Sequence, residues 1–390
     1  MKHSLGQRLR YRFDSTLAHG PAALVAWLAI ATITLILLAF GLDLSLVYSE
    51  LMSFEGNEIH IYEESALIGR AFGDVLLAYE DAAVIGILPR NGHPLLNPPP
   101  ATVIAPDDRV IAIAQNDAAL HLRTRSAAAI RATAIVPATP ATHAPERTLI
   151  LGWNRQAPTM VCQLDAYVPS GSTLTIIADH ARASDEIAAL TPQMRNQQIR
   201  YEPGDPTDYV LLNRLDVPSY PHVVVLCASD RLDPQRADSL TLVTLLHLRQ
   251  IADTHSHPFS IVSKMMDVRN RTLAESARAD DFIVSERLIS QLAVQVAENT
   301  ALAEIFHTLL DPAGAKILLK PACMYVGEGV DLSFATVVEA ARRRDECAVG
   351  FRIHGHEADR AHGYGMVLNP PKSRSVCVGR EDRVIVVAKG

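Results

Sequence analysis

The densest cluster of chemically useful side chains is HGHEADRAHGYG at 354–365, where His354, His356 and His362 are interspersed with Glu357 and Asp359. Imidazole nitrogens beside carboxylate oxygens are ligands for zinc and its first-row neighbours, and a His-rich tract is a metal candidate by composition. The spacing matches no established ligand pattern. The plainer reading is a solvated hairpin loop inserted between two strands, and the identity of any metal is left open. His255 and His257 flank a helix end and carry the same plain reading. Asp280 and Asp281 form an acidic pair, read as a strand cap. No Ser-His-Asp order, nucleophile elbow, Walker loop or EF-hand spacing occurs in the chain, so no catalytic residue is assigned.

Nucleotide chemistry leaves a different signature. A glycine ends the first strand so that the backbone can approach phosphates, and a carboxylate closes the second strand to hold a ribose. RTLILGW at 147–153 supplies Gly152, and TLTIIAD at 173–179 supplies Asp179. Asn154 and Pro158 stand where the G-x-G-x-x-G fingerprint wants small residues, which weakens the diphosphate cradle. Asp179 serves equally well as a turn or capping residue. In GDPTD at 204–208, Gly204 precedes a helix start with Asp205 as cap and Pro206 at the first helical position. The candidate cofactor-binding set is Gly152, Asn154, Asp179, Gly204 and Asp205.

These residues need a frame. RTLILGW, TLTIIAD, HVVVLCASD at 222–230 and FSIVSKMMD at 259–267 are short apolar runs that end in small or polar residues. Helical segments fill the gaps, one of them over 240–251 behind an Asp233-Pro234 cap. Strands of this kind, covered on both faces, predict a doubly wound parallel sheet. On either side of it one pattern is written twice: LNPP then DRVI at 96–111, and again at 368–385. Upstream, Phe72, Val75 and Leu76 fall where Phe334, Val337 and Val338 fall, at the spacing of an amphipathic helix. Each copy predicts helix, strand, turn, strand, a repeated small α+β unit. The stretch 121–146, rich in Ala, Thr and Pro, predicts a linker between the first copy and the sheet.

With 390 residues, 48% of them hydrophobic, the chain can bury large cores, and its net charge of −7 argues against nucleic acid as a partner. The cysteines at 162, 227, 323, 347 and 377 form no CxxC pair and predict reduced thiols in a cytosolic setting. The uncharged run 21–42 is long enough to cross a bilayer as a helix. Lys2, Arg8, Arg10 and Arg12 precede it while Asp43 and Glu50 follow, which places the N-terminus in the cytoplasm.

ERTLILGWN at 146–154, GDPTD, VVVLCASD at 223–230, the segment 268–292 and the segment SELMSFEGNEIHIYEESALIGRAFGDVLLAYEDAAVIGI at 49–87 together resemble the CASTOR/POLLUX ion-channel family, as does RLRYRFDSTLAHGPAALVAWLA at 8–29. The resemblance implies relatives that are tetrameric, calcium-responsive cation channels with a cytosolic ring of paired RCK domains. Each RCK domain has a Rossmann-like half and a small α+β half. It implies a basic leader at 1–20, a transmembrane helix at 21–42 and a small half of a first module at 52–120. The linker 121–146, a Rossmann-like half at 147–315 and the second small half at 316–390 complete the order. In the family a pore loop, a second transmembrane helix and a first Rossmann-like half lie between the first span and the SFEGNE segment, where this chain has only the residues from 40 to 53. The expectation is a single-pass membrane protein whose RCK modules are cytoplasmic. It self-associates, in the tetrameric ring the family uses, contacts membrane lipid, binds no nucleic acid and forms no pore alone. Its regulatory ligand is left open between a nucleotide and Ca2+, and the calcium response of the resembled channels makes Asp280 and Asp281 a candidate divalent-cation site. The rival class is an NAD(P)-dependent oxidoreductase-like protein on a Rossmann fold; against it stand the altered glycine fingerprint and the lack of a catalytic pair.

Overall fold

The computed structural model describes residues 44–389, apart from 53–55, 91, 123–129, 139–143, 256–258, 268–269, 271–280, 285–294, 296–298, 310, 312–313 and 357–358. The expected transmembrane run 21–42, Asp280, His257 and Glu357 lie outside the described residues. Among those residues no helix is long and apolar enough to cross a membrane. The chain divides into two compact units, one built on 141–292 and the other joining 46–140 to 293–390.

The second unit opens with α1 (Leu44–Leu51), followed by β1 (Glu58–Tyr62), the short helix α2 (Phe72–Val75), β2 (Ala82–Leu88), β3 (Leu95–Leu96) and β4 (Arg109–Ala114). The strands form one antiparallel sheet in the order β1-β4-β2-β3.

The first unit is a parallel sheet. Its elements are β5 (Arg147–Leu151), α3 (Ala157–Tyr167), β6 (Ser172–Ala178), α4 (Ala183–Leu190), β7 (Gln197–Pro203), α5 (Tyr209–Arg214), β8 (His222–Val225), α6 (Pro234–Thr254), β9 (Ser260–Met265) and β10 (Asp281–Val284). The order β10-β9-β8-β5-β6-β7, parallel throughout, is that of the doubly wound dinucleotide folds, with its reversal between β5 and β8. The central strands are apolar and buried, Leu149, Ile150, Ile176 and Val224 among them. β7 was not predicted. Its sequence QQIRYEP alternates exposed and covered positions because it is the sheet edge. Two buried carboxylates tie helices to strand ends. Asp165 on α3 accepts from the amides of Arg195, Asn196 and Gln197 at 2.9–3.0 Å. Asp238 on α6, fully buried, accepts from the amides of Met266 and Asp267 and from Asn270 Nδ2 at 2.8–3.0 Å.

The second unit then resumes with α7 (Thr300–Leu309), β11 (Ala315–Pro321), β12 (Leu332–Ser333), α8 (Phe334–Arg342), β13 (Cys347–Arg352), β14 (Met366–Leu368), β15 (Ser375–Val376) and β16 (Arg383–Lys389). The sheet β11-β16-β13-β14 repeats the first copy strand for strand, down to a bulge at Val84–Gly86 and at Ala348–Gly350. A Cβ on Gly86 would come within 2.6 Å of the Leu95 carbonyl, and one on Gly350 within 2.4 Å of that of Val367, so both bulges admit only glycine. The predicted helical faces are buried in both copies: Phe72, Val75 and Leu76, and Phe334, Val337 and Val338.

The loop after each LNPP gives the repeated motif its physical reason. Neither Ala71 nor Ser333 offers a side-chain cap, so the loop carbonyls take that role. Phe72 and Gly73 donate their amides to Thr102 and Pro100, and Phe334 and Ala335 donate theirs to Arg374 and Lys372, all at 2.8–2.9 Å. β2 and β13, buried along their full lengths, pack against each other and form the core between the two copies. The predicted linker, where described, is strapped to the second copy: Arg131 N donates to Thr336 Oγ1, Val136 N to the Tyr325 carbonyl, and Gly327 N to the Ala134 carbonyl.

Candidate functional site

In an open parallel sheet the ligand position is the crevice outside the strand carboxyl ends where the order reverses, here between β5 and β8. Gly152 leaves β5 with φ +100°, and its amide donates to the Ile177 carbonyl at 2.8 Å. A Cβ there would lie 2.5 Å from the Leu226 carbonyl, so the close approach of the two strand ends requires glycine.

Asn154 fills the crevice. Buried, it donates through Nδ2 to the Cys227 carbonyl at 2.9 Å, while its Oδ1 accepts from the amides of Gln156 and Ala157 at the start of α3. These amides are the ones a dinucleotide diphosphate would otherwise use. The neighbouring residues are equally engaged. Trp153, buried, donates through Nε1 to Glu186 at 2.8 Å, and Arg155 N donates to Asp230 Oδ2 at 3.2 Å.

Asp179 stands exposed just past β6. Burial, with help from the Asp179 charge, pushes the Tyr201 phenol above its ordinary value, and that phenol donates to the Ala178 carbonyl. Gly204 packs beneath Leu211, while Asp205 accepts from the amide and hydroxyl of Thr207. The cap of α5 is Asp208, whose Oδ1 accepts from the amides of Val210 and Leu211, so the helix begins three residues later than GDPTD predicts. Asp233 does cap α6. Gly152 and Asn154 are therefore brought to the crevice itself, with Asp179, Gly204 and Asp205 at the carboxyl ends of the next two strands. Sequence reasoning missed Trp153, Asp230 and Tyr201; only the tryptophan directly after a strand-ending glycine was a usable signal.

The second unit holds a cleft of about 470 Å³ between α2 and α8, lined by Arg70, Asp74, Ile130, Glu339, Arg342 and Arg343. Glu339 binds Arg342 and Arg343 at 2.7–2.9 Å, and Arg70 reaches the Asp74 carbonyl. Further along the same unit, His356, Asp359 and His362 converge. Every cysteine is free; Cys227 and Cys347 are buried, and Cys377 is exposed.

A six-stranded parallel sheet with this strand order, on one chain with a paired α+β unit, is a Rossmann-like α/β fold. The fold is similar to that of the human SLO3 gating ring, with a TM-score of 0.67 at 13% identity, covering 93% of this chain and 75% of that one. The sequence points to a narrower group. The family model described as "Castor and Pollux, part of voltage-gated ion channel" matches residues 32–129. "Probable ion channel CASTOR" of Oryza sativa subsp. japonica is 26% identical over 368 residues, covering 84% of this chain and 40% of the relative. "Ion channel CASTOR" of Lotus japonicus is 26% identical over 366 residues, covering 84% and 42%. The resemblance to the CASTOR and POLLUX channels carried by the sequence motifs is thus shown along most of the chain. The chain spans about two fifths of the length of the relatives it matches.

Proposed function

We propose that this chain is a membrane-anchored, gating-ring-like regulatory protein that acts in monoatomic ion transport by binding a ligand and self-associating. The observation that carries the reading is the combination on one chain of a doubly wound sheet with two small lobes packed core to core, in a sequence similar to ion channels over most of its length. The relatives' names speak of channels, and catalysis has no part in this reading. Self-association is supported by an apolar surface on the first unit, where Val210 on α5 and Leu240, Val243 and Leu246 on α6 are exposed. Conduction is not assigned to the run 21–42, whose only polar side chains are Thr32 and Thr34 and which carries no ionisable group.

The ligand seat in this reading is the edge formed by Gly152, Asn154, Asp179, Gly204 and Asp205, with a nucleotide whose ribose or base meets Asp179. Because Asn154 already holds the α3 amides, the edge favours recognition through the nucleoside rather than a diphosphate.

Light scattering of the full chain in detergent tests the reading, with an oligomer expected and Leu246→Glu with Val243→Glu shifting it toward monomer. A wild-type monomer across the accessible concentration range would overturn it. Calorimetry with NAD, ATP and ADP, repeated on Asp179→Ala, tests the seat; equal affinities in the two proteins exclude Asp179 from it.

A further inference from the structure

We propose that His356, Asp359 and His362 form a binding site for a divalent transition-metal ion of the zinc, cobalt and nickel kind. The site is independent of the gating-ring reading. It lies in the loop between β13 and β14, the place in the second copy where the first copy closes the equivalent strands, β2 and β3, with residues 89–94 alone. The second copy uses 353–365 for the same connection. The fold therefore does not require the longer loop, and the insertion adds a histidine-rich sequence.

The loop brings its ligands together through its backbone. His356 N donates to the Ile353 carbonyl, Asp359 N to that of His356, and His362 N to that of Asp359, so successive tight turns place positions 356, 359 and 362 on one side. Tyr364 N returns to the Asp359 carbonyl at 2.9 Å, and Ile353 N donates to Gly365 at 2.9 Å, closing the loop base against the sheet. Gly363 and Tyr364 turn the chain back with φ of +61° and +56°. The rings of His356 and His362 stack with centroids 4.8 Å apart, and His362 Nδ1 is bonded to Asp359 Oδ2. One donor atom from each of the three residues lies within 4.8 Å of the others. An ion about 2.0–2.1 Å from each ligand needs donors separated by at most about twice that distance, a change within reach of side-chain torsions.

The donor set decides the ion. Two imidazole nitrogens and one carboxylate oxygen suit zinc and its neighbours, with the remaining positions left to water. Calcium and magnesium are held by oxygen ligands, so they compete poorly for two imidazoles. Binding replaces the Asp359–His362 hydrogen bond with a metal bridge and pins the two turns of the loop to each other.

The test is titration of the full-length, chelator-stripped and tag-free chain with Co2+, read by its d–d absorption, then displacement with Zn2+. The proposal predicts saturation at one ion per chain, displacement by Zn2+ and none by equal concentrations of Ca2+ or Mg2+. His356→Ala and His362→Gln, each with an unchanged circular dichroism spectrum because neither side chain is buried, should each weaken binding about 10-fold or more. Absence of saturable Co2+ absorption in the wild type would overturn the proposal. So would wild-type affinity in both histidine variants, or displacement by Ca2+.

Discussion

Asn97 and Asn369 each reach across to the other copy of the repeat and make the same bond there. Asn97 Nδ2 donates to the Asp345 carbonyl and Asn369 Nδ2 to the Asp81 carbonyl, both at 2.7 Å. Asp81 and Asp345 occupy equivalent places, directly before and two residues before the buried strands β2 and β13. Both asparagines are buried, and both hold a left-handed backbone, with φ of +44° and +48°, which asparagine tolerates better than other non-glycine residues. The bonds are reciprocal, so the two lobes are related as the halves of an isologous dimer joined in one chain. Asn97 Oδ1 also accepts from Cys347 Sγ, and the buried Lys372 donates through Nζ to the Ala82 carbonyl, so the second lobe adds its own fastenings.

Removing either asparagine should therefore loosen the pairing of the lobes. Asn97→Ala and Asn369→Ala each strand a buried carbonyl and strain the backbone, at a cost of about 1–3 kcal/mol. The double variant should lose less than the sum, because both bonds report on one interface. Denaturant titration of the full chain checks this; strict additivity would mean that the two bonds act independently.

The legibility of these features in the sequence differs from residue to residue. The repeat was legible, since LNPP and DRVI are constrained by the same helix cap and the same turn in both copies. So were β5, β6, β8 and β9, whose apolar runs reflect burial on both faces. β7 was hidden because an edge strand needs no apolar face. The cross-lobe bonds were invisible: the repeated LNPP motif singles out Asn97 and Asn369 and cannot say which distant carbonyl they meet. Asn154 was read as a defect in a phosphate loop, whereas the structure gives it two simultaneous jobs, capping α3 and bonding Cys227. The histidine loop was legible in composition only, because its ligand spacing is set by tight turns and not by a regular helix or strand.

The paired bulges give a second expectation. Gly86→Ala and Gly350→Ala force a methyl group against a strand carbonyl that cannot move without breaking the ladder to β3 or β14. Each should cost about 1–3 kcal/mol, the range for overpacking. Gly69, whose added Cβ would meet no atom within 4 Å, separates steric loss from backbone strain, because Gly69→Ala carries only the strain of its φ of +80°. Equal losses at all three positions in thermal unfolding would contradict the steric account.

Acid sensitivity should localise at α8. Burial pushes the Glu339 carboxyl up, but the hydrogen bonds from Arg342 and Arg343 outweigh it and hold the group below its ordinary value of 4.5. A depressed carboxyl stabilises the fold above that ordinary value, and the contribution is lost as pH falls through the lower, folded-state value. Glu339→Gln should reduce stability near neutral pH and flatten the decline below about pH 4.5. Stability curves from pH 7 to 3 on both proteins decide it; parallel curves would show that Glu339 does not carry the acid limb.

The sheet unit rests on a polar anchor that hydrophobic patterning cannot show. Asp238 sits on α6 with no exposed surface, and its two oxygens take the amides of Met266 and Asp267 and the Asn270 carboxamide just beyond β9. Asp238→Ala leaves these donors facing a cavity, and since hydrogen bonds to a charged group are worth about 1.5–3 kcal/mol each, the loss should be about 3 kcal/mol or more. Asp238→Asn keeps one acceptor oxygen but turns the other position into a donor facing donors, so it should lose a large part of the same amount. Hydrogen exchange gives the readout, with protection falling in β8, β9 and α6 while β2 and β13 keep theirs. A stability loss below about 0.5 kcal/mol, the size of an ordinary surface substitution, would mean that the amides beyond β9 find other partners and that the helix is held by its apolar face alone.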